Sequence, residues 1–147
     1  MRQGLCALAL VLLAGCATDS EPVRHSLGMH SAQTEAGEGL RQMTDRHSGV
    51  QLWVAEQPVL SQNDIEQAEV LVGGDGQAVV LLSLSPSAQA LLASITATQI
   101  GQPLAILIDG ELRMAPIIRE PISDGRLALT GFDSLAEANA LVDDWSR

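Results

Sequence analysis

Lysine and tyrosine are absent from this 147-residue chain, and its only cysteines are Cys6 and Cys16. Eight arginines face 18 aspartates and glutamates, for a formal net charge of −10. A surface so short of positive charge repels phosphate, which argues against nucleic acid as a partner. It also gains no electrostatic attraction to anionic lipid headgroups. From Val50 onward histidine and cysteine are missing too. A Ser–His pair or a cysteine nucleophile is therefore excluded from that region. Carboxylates, serines and threonines remain. Asp75, Asp109 and Asp124 fall in turn-like sequence, where aspartate serves local hydrogen bonding. The expectation is a protein that is not an enzyme, with no catalytic residues, no cofactor and no metal. A carboxylate pair doing acid–base work or holding a divalent cation is the minor alternative.

Two signals stand out at the N-terminus. Met1-Arg2-Gln3 is a short positive start, and the apolar run over residues 5–13 is too short to span a bilayer as a helix. Charge, apolar core and small residues in that order read as a secretory signal over residues 1–15. Leu13-Ala14-Gly15-Cys16 resembles the bacterial lipobox, in which cleavage precedes the cysteine and acyl chains such as palmitate are attached to it. Several chains anchor firmly where one binds only marginally. Loss of Arg2 moves the formal charge from −10 to −11. Loss of Cys6 leaves one cysteine, so no internal disulfide is expected. Ala17, not aspartate, follows the cysteine. By a common sorting rule that favours the outer membrane over the inner, with the protein facing the periplasm.

Residues 16–49 are poor in large apolar side chains and read as a lipid-anchored flexible linker. A short helix over residues 38–46 is weakened by Gly37 and Gly39. His25, His30 and His47 all lie in this stretch. His25 and His30 stand five apart, off one helical face and without a supporting cysteine, so they read as solvated tether residues and not as ligands.

The folded domain is expected over residues 50–147. Residues 52–54 read as a strand, and Ser61 as the cap of a short helix reaching Ala68. Residues 69–72 and 78–84 form a hairpin around Gly73-Gly74-Asp75-Gly76. Ser85-Pro86 opens a helix with Ala88, Leu91, Leu92 and Ile95 at helical spacing. Residues 104–108 are a buried strand, and Asp109-Gly110 is a two-residue hairpin turn into residues 111–118. Pro116 and Pro121 push that segment to an edge. Residues 126–130 alternate, with Leu127 and Leu129 on one face. Ser134 and Glu137 form a capping box for a last helix burying Leu135, Ala138, Leu141, Val142 and Trp145. The sum is an α+β two-layer sandwich, a largely antiparallel sheet backed by two main helices. Residues 79–82 and 104–108 are apolar on both faces. Central strands of a covered sheet explain this; the alternatives are cover by the loop over residues 114–122, or by a partner.

Read in order, several motifs resemble one family. They are Leu104 to Leu112 with Asp109-Gly110 inside, Ala115-Pro116-Ile117-Ile118, Pro121-Ile122, Gly125, Leu129-Thr130-Gly131-Phe132 and Glu137-Ala138. Together these resemble the head subdomain of the first periplasmic region of the SecD family, a protein-export subunit. The resemblance runs over about residues 57–145, and several ordered motifs are more specific than one. These positions read mainly as fold determinants. The resemblance implies contact with translocon components or with polypeptide emerging during export. SecD couples export to the proton gradient through transmembrane helices; no such helix follows the signal here, so pumping is not expected. The function read from the sequence is a non-enzymatic envelope lipoprotein that binds export machinery or translocating polypeptide. The alternative is a structural or regulatory lipoprotein reusing the fold for an unrelated partner.

Overall fold

The structure, a computed structural model, describes residues 24–146. The expected signal segment, with Leu13, Ala14 and Gly15, and the expected acylation site Cys16 lie outside the described residues. Nine strands and two α-helices follow in the order β1 (Leu27–Gln33), β2 (Leu40–Thr44), β3 (Gln51–Ala55), β4 (Leu60–Ser61), β5 (Ile65–Val72), β6 (Ala78–Leu84), α1 (Pro86–Thr98), β7 (Leu104–Ile108), β8 (Glu111–Met114), β9 (Arg126–Leu129) and α2 (Leu135–Trp145). The strands form two sheets. One runs β2-β3-β1-β7-β8, with β4 also pairing to β1; the other runs β5-β6-β9. All the strand pairs are antiparallel. This is the expected α+β class, with its strands divided between two sheets.

The expected linker needs correction. Residues 27–33 and 40–44 are strands, and β1 lies at the middle of the larger sheet, paired with β7 over five consecutive positions from Leu27↔Ile108 to Ser31↔Leu104. Leu27, Met29, His30 and Ala32 are all buried. Polar composition disguised this strand. His30 is tolerated inside because its Nδ1–H donates to the Ala55 carbonyl at 2.8 Å, so no ring donor is stranded. Residues 38–46 hold β2, not a helix, because its five positions pair with β3.

That correction settles what covers β7. All five of its residues are buried. Leu104, Ile106 and Ile108 enter a main core shared with β1, β6, α1 and α2. Ala105 and Leu107 enter a second cluster with Ala32, Leu52, Val54 and Leu112. The larger sheet curls to make that second cluster, and its rims meet where the Arg46 N–H donates to the Leu112 carbonyl at 3.1 Å. The chain itself covers both faces of β7, with Ala115 packing on the second cluster and Met114, Ile118 and Ile122 on the first.

Local departures have local causes. The helix expected from Ser61 stops after one turn, Gln62–Asp64. There Ser61 Oγ accepts from Asn63 and Asp64 accepts from the Ser61 N–H; pairing of Ile65 with Leu84 then extends the chain into β5. Helix α1 is capped by Ser85 and buries Ala88, Leu92 and Thr96, while Leu91 stays 45% exposed. In α2 the buried stripe is Ala138, Leu141 and Trp145, and Leu135 is exposed. Ser134 accepts from the Glu137 N–H at 3.1 Å. Glu137 returns its bond to the N–H of Asp133 at 2.7 Å, one residue before the cap.

Candidate interaction surface

Asp109 and Gly110 make the hairpin between β7 and β8, both at positive φ, 52° and 80°. Aspartate tolerates that region better than most residues, and glycine tolerates it freely. The turn is also tied to the start of the described chain. Asp109 Oδ2 accepts from His25 Nδ1 at 2.7 Å, and Oδ1 from the Ser26 N–H at 2.9 Å. Partial burial pushes the Asp109 carboxyl up, but hydrogen bonds from His25 and Ser26, and the charges of His25 and Arg113, outweigh it and hold the group below its ordinary value. His25 also donates its N–H to Asp144 at 2.9 Å, and its carbonyl accepts from Trp145 Nε1 at 2.9 Å.

Past β8 the segment through Ala115 and Pro116 stays alongside the start of β7 and the residues just before it. Leu104 N–H bonds the Pro116 carbonyl at 2.9 Å, Ile118 N–H bonds the Gln102 carbonyl at 2.9 Å, and Ile117 bridges Pro103. Pro116 thus serves as an acceptor where its missing N–H is not needed. Ile118 is buried, Pro121 is exposed, and the Ile122 N–H donates to Thr96 Oγ1 at 2.9 Å. The Gly125 carbonyl accepts from the Leu84 N–H, starting the β6–β9 ladder.

Gly131 and Glu137 flank a buried cation. Arg113 is 6% exposed, its Nη2 lies 2.8 Å from Glu137 Oε1, and its guanidinium carbon sits 5.9 Å from the Phe132 ring centre. The Gly131 carbonyl accepts from the same nitrogen at 3.4 Å. A Cβ on Gly131 would meet His47 Nε2 at 3.0 Å, and φ there is 82°. Ala138 is fully buried against the main core.

Between the segment after β8 and strand β9 lies a small apolar slot. Leu104, Ile106, Met114, Ile118, Leu127 and Leu129 form its floor and walls, and its volume is about 60 Å³. Pro116, Ile117 and Ala128 stand at its exposed side. A shallower cleft of about 780 Å³, of mixed lining, runs beside Arg41, Arg46 and Glu111. Among the described residues, no group of three or more histidines, cysteines, aspartates or glutamates converges as metal ligands would.

Residues 39–142 match the family model described as SecDF, P1 head subdomain. The chain belongs to that family. Protein translocase subunit SecD of Treponema pallidum is 36% identical over 97 residues, covering 64% of this chain and 17% of that protein. The SecD subunit of Rhodobacter capsulatus is 29% identical over 121 residues, covering 82% and 22%. This SecD head therefore spans about a fifth of those relatives' length. A solved structure described as that of a membrane component SecDF that enhances protein export matches with a TM-score of 0.67 at 20% identity, over 84% of this chain and 62% of the other. At that identity the likeness establishes the fold. Among the described residues no helix is long and apolar enough to cross a membrane.

Within this head, the motif positions Asp109, Gly110, Pro116, Ile118, Gly125, Gly131 and Glu137 do not converge on one point. They fall at a turn, along an extended segment, at the mouth of β9 and around Arg113. Sequence reasoning missed Arg113, His25, His30 and Trp145 Nε1 as fixed polar groups. Arg113 carried one signal, its place between Leu112 and Met114 in an apolar strand. His25 and Trp145 carried none, since their bond spans 120 residues.

Proposed function

We propose that this SecD head-like domain is a non-enzymatic binding module of the cell envelope, held at a membrane by acyl chains on Cys16 and facing the periplasm. Its partners are protein-export machinery or the polypeptide being exported, and the outer membrane is the favoured site. One observation carries the reading: the matched head is a folded unit in which β7 is covered on both faces by the chain's own side chains. It needs no neighbouring domain to bury that strand, so it can act detached. Mass spectrometry of the membrane-extracted protein tests the anchor, with an acylated Cys16 as its first residue expected. Crosslinking in intact cells tests the partner, with translocon subunits or exported chains expected in the adduct. Recovery of neither sinks the export reading.

A second reading rests on the fold alone, since one fold hosts unrelated functions. The head then serves an envelope partner unrelated to export. A deletion strain with normal secretion and a leaky envelope favours it.

A further inference from the structure

The smaller sheet has two outer strands, and they are not equally guarded. On β5, Glu66 and Glu69 are exposed, and Ser146 Oγ donates to the Ala68 carbonyl at 3.3 Å. Charge and capping of this kind protect an edge. Strand β9 is different. The Leu84 N–H bonds the Gly125 carbonyl at 2.9 Å, in register with Leu82↔Leu127 and Val80↔Leu129. Antiparallel bonds skip every second residue. Leu127 and Leu129 therefore spend their main-chain groups on β6, while Arg126 and Ala128 turn theirs away. Asp124 Oδ1 takes the Arg126 N–H at 3.1 Å. Among the described residues nothing takes the main-chain N–H or carbonyl of Ala128.

That open edge borders the apolar slot between β9 and the segment after β8. With about 60 Å³, the slot admits one small aliphatic side chain and no more. We propose that β9 is a strand-addition site for an extended, apolar stretch of unfolded polypeptide. The incoming strand pairs with the main chain of Ala128 and seats one aliphatic side chain in the slot. A lipid tail fills the slot and leaves the main-chain groups unmet. A helix presents no row of free amides. Only an extended chain satisfies both. Met114 on the wall adapts to side chains of different shape. The proposal deepens the export reading and rests on it for the source of the chain.

The test uses the full chain in detergent and a capped, fluorescent peptide of alternating valine and threonine. A second peptide carries N-methyl groups on alternate residues, which removes donors from one edge. Ala128→Pro removes the free N–H of β9 and no bond to β6, a position where proline is tolerated. The N-methyl peptide and the Ala128→Pro variant are each expected to weaken binding about ten-fold, the loss of one or two hydrogen bonds. Equal binding in both arms overturns the site. Should Ala128→Pro unfold, the N-methyl peptide on the unaltered protein still decides. A dimer of the parent protein that Ala128→Pro turns into a monomer makes a second copy the occupant, and also overturns it. In cells, capture of exported chain by Ala128→Pro as by the parent sinks this site and leaves the export reading standing. No capture by the parent sinks that reading.

Discussion

His25 Nδ1 and Asp109 Oδ2 meet at 2.7 Å across 84 residues of sequence, joining the start of the described residues to the β7–β8 turn. The pair belongs to a knot in which Asp144 and Trp145 at the end of α2 also hold His25. The Asp109 carboxyl is held below its ordinary value of 3.8. A depressed carboxyl contributes stability that is present above the unfolded value and is lost as pH falls through the folded one. Thermal melts from neutral pH down through about pH 3 should show Asp109→Asn converging on the parent protein in acid. The side chain is 49% exposed, so the gap at neutral pH will be modest. Asparagine keeps the tolerance for positive φ, so the turn geometry is preserved while the charge and one of the two acceptors are lost.

The reassigned boundary is directly testable. A fragment of residues 50–147 lacks β1, the strand between β3 and β7, and should not fold. A fragment of residues 24–147 should give a cooperative thermal transition. Amide NMR spectra of the two distinguish them; a dispersed spectrum from the shorter fragment would restore the linker reading of residues 27–44.

His30 behaves oppositely to a solvated histidine. Burial lowers its pKa from the ordinary 6.5, the hydrogen bond to the Ala55 carbonyl opposes this, and the Arg41 charge adds to the lowering. The fold thus prefers the neutral ring, and stability is lost as pH drops below about 6.5. Proton NMR should place the His30 titration below that of an exposed histidine, and His30→Gln should remove this component of acid sensitivity. Gly28→Ala attacks the same place, since its Cβ would stand 2.5 Å from His30 Nε2, and should lower the melting temperature.

Arg113 and Glu137 are unequal partners, 6% and 27% exposed. Glu137→Ala strands a buried guanidinium and should cost about 3 kcal/mol, the lower end for breaking a buried pair. Arg113→Met leaves a carboxylate that reaches water and replaces the stem with apolar bulk, so it should cost less. Urea unfolding of the two variants checks the asymmetry; equal losses would mean that Phe132 and the Gly131 carbonyl, not Glu137, compensate the cation.

The middle of the fold was legible because its signals are local. Ser85-Pro86 announces α1, the five apolar letters of β7 announce a buried strand, and Asp109-Gly110 announces its turn. The first strands were not legible, because tertiary pairing made them. LGMHSAQ has too few large apolar residues to declare itself, and its burial comes from β7 on one side, β3 and β4 on the other, and an acceptor for His30 from Ala55. Helical spacing similarly overvalued Leu91 and Leu135, which stay 45% and 49% exposed. For the candidate surface, the sequence displayed Pro116, Ile117 and Ala128 but not their convergence, since the slot depends on how the two sheets approach.

Strand β7 has the last consequence. Walled on both sides, it has no tolerant face on which substitutions can accumulate harmlessly. Drift there is confined to exchanges among aliphatics of matched size, with Ala105 permitting nothing larger without displacing the curled rim. Saturation of those five codons would leave a narrow alphabet of survivors, while the polar letters of β1 opposite could be rewritten with more freedom wherever His30 keeps its acceptor.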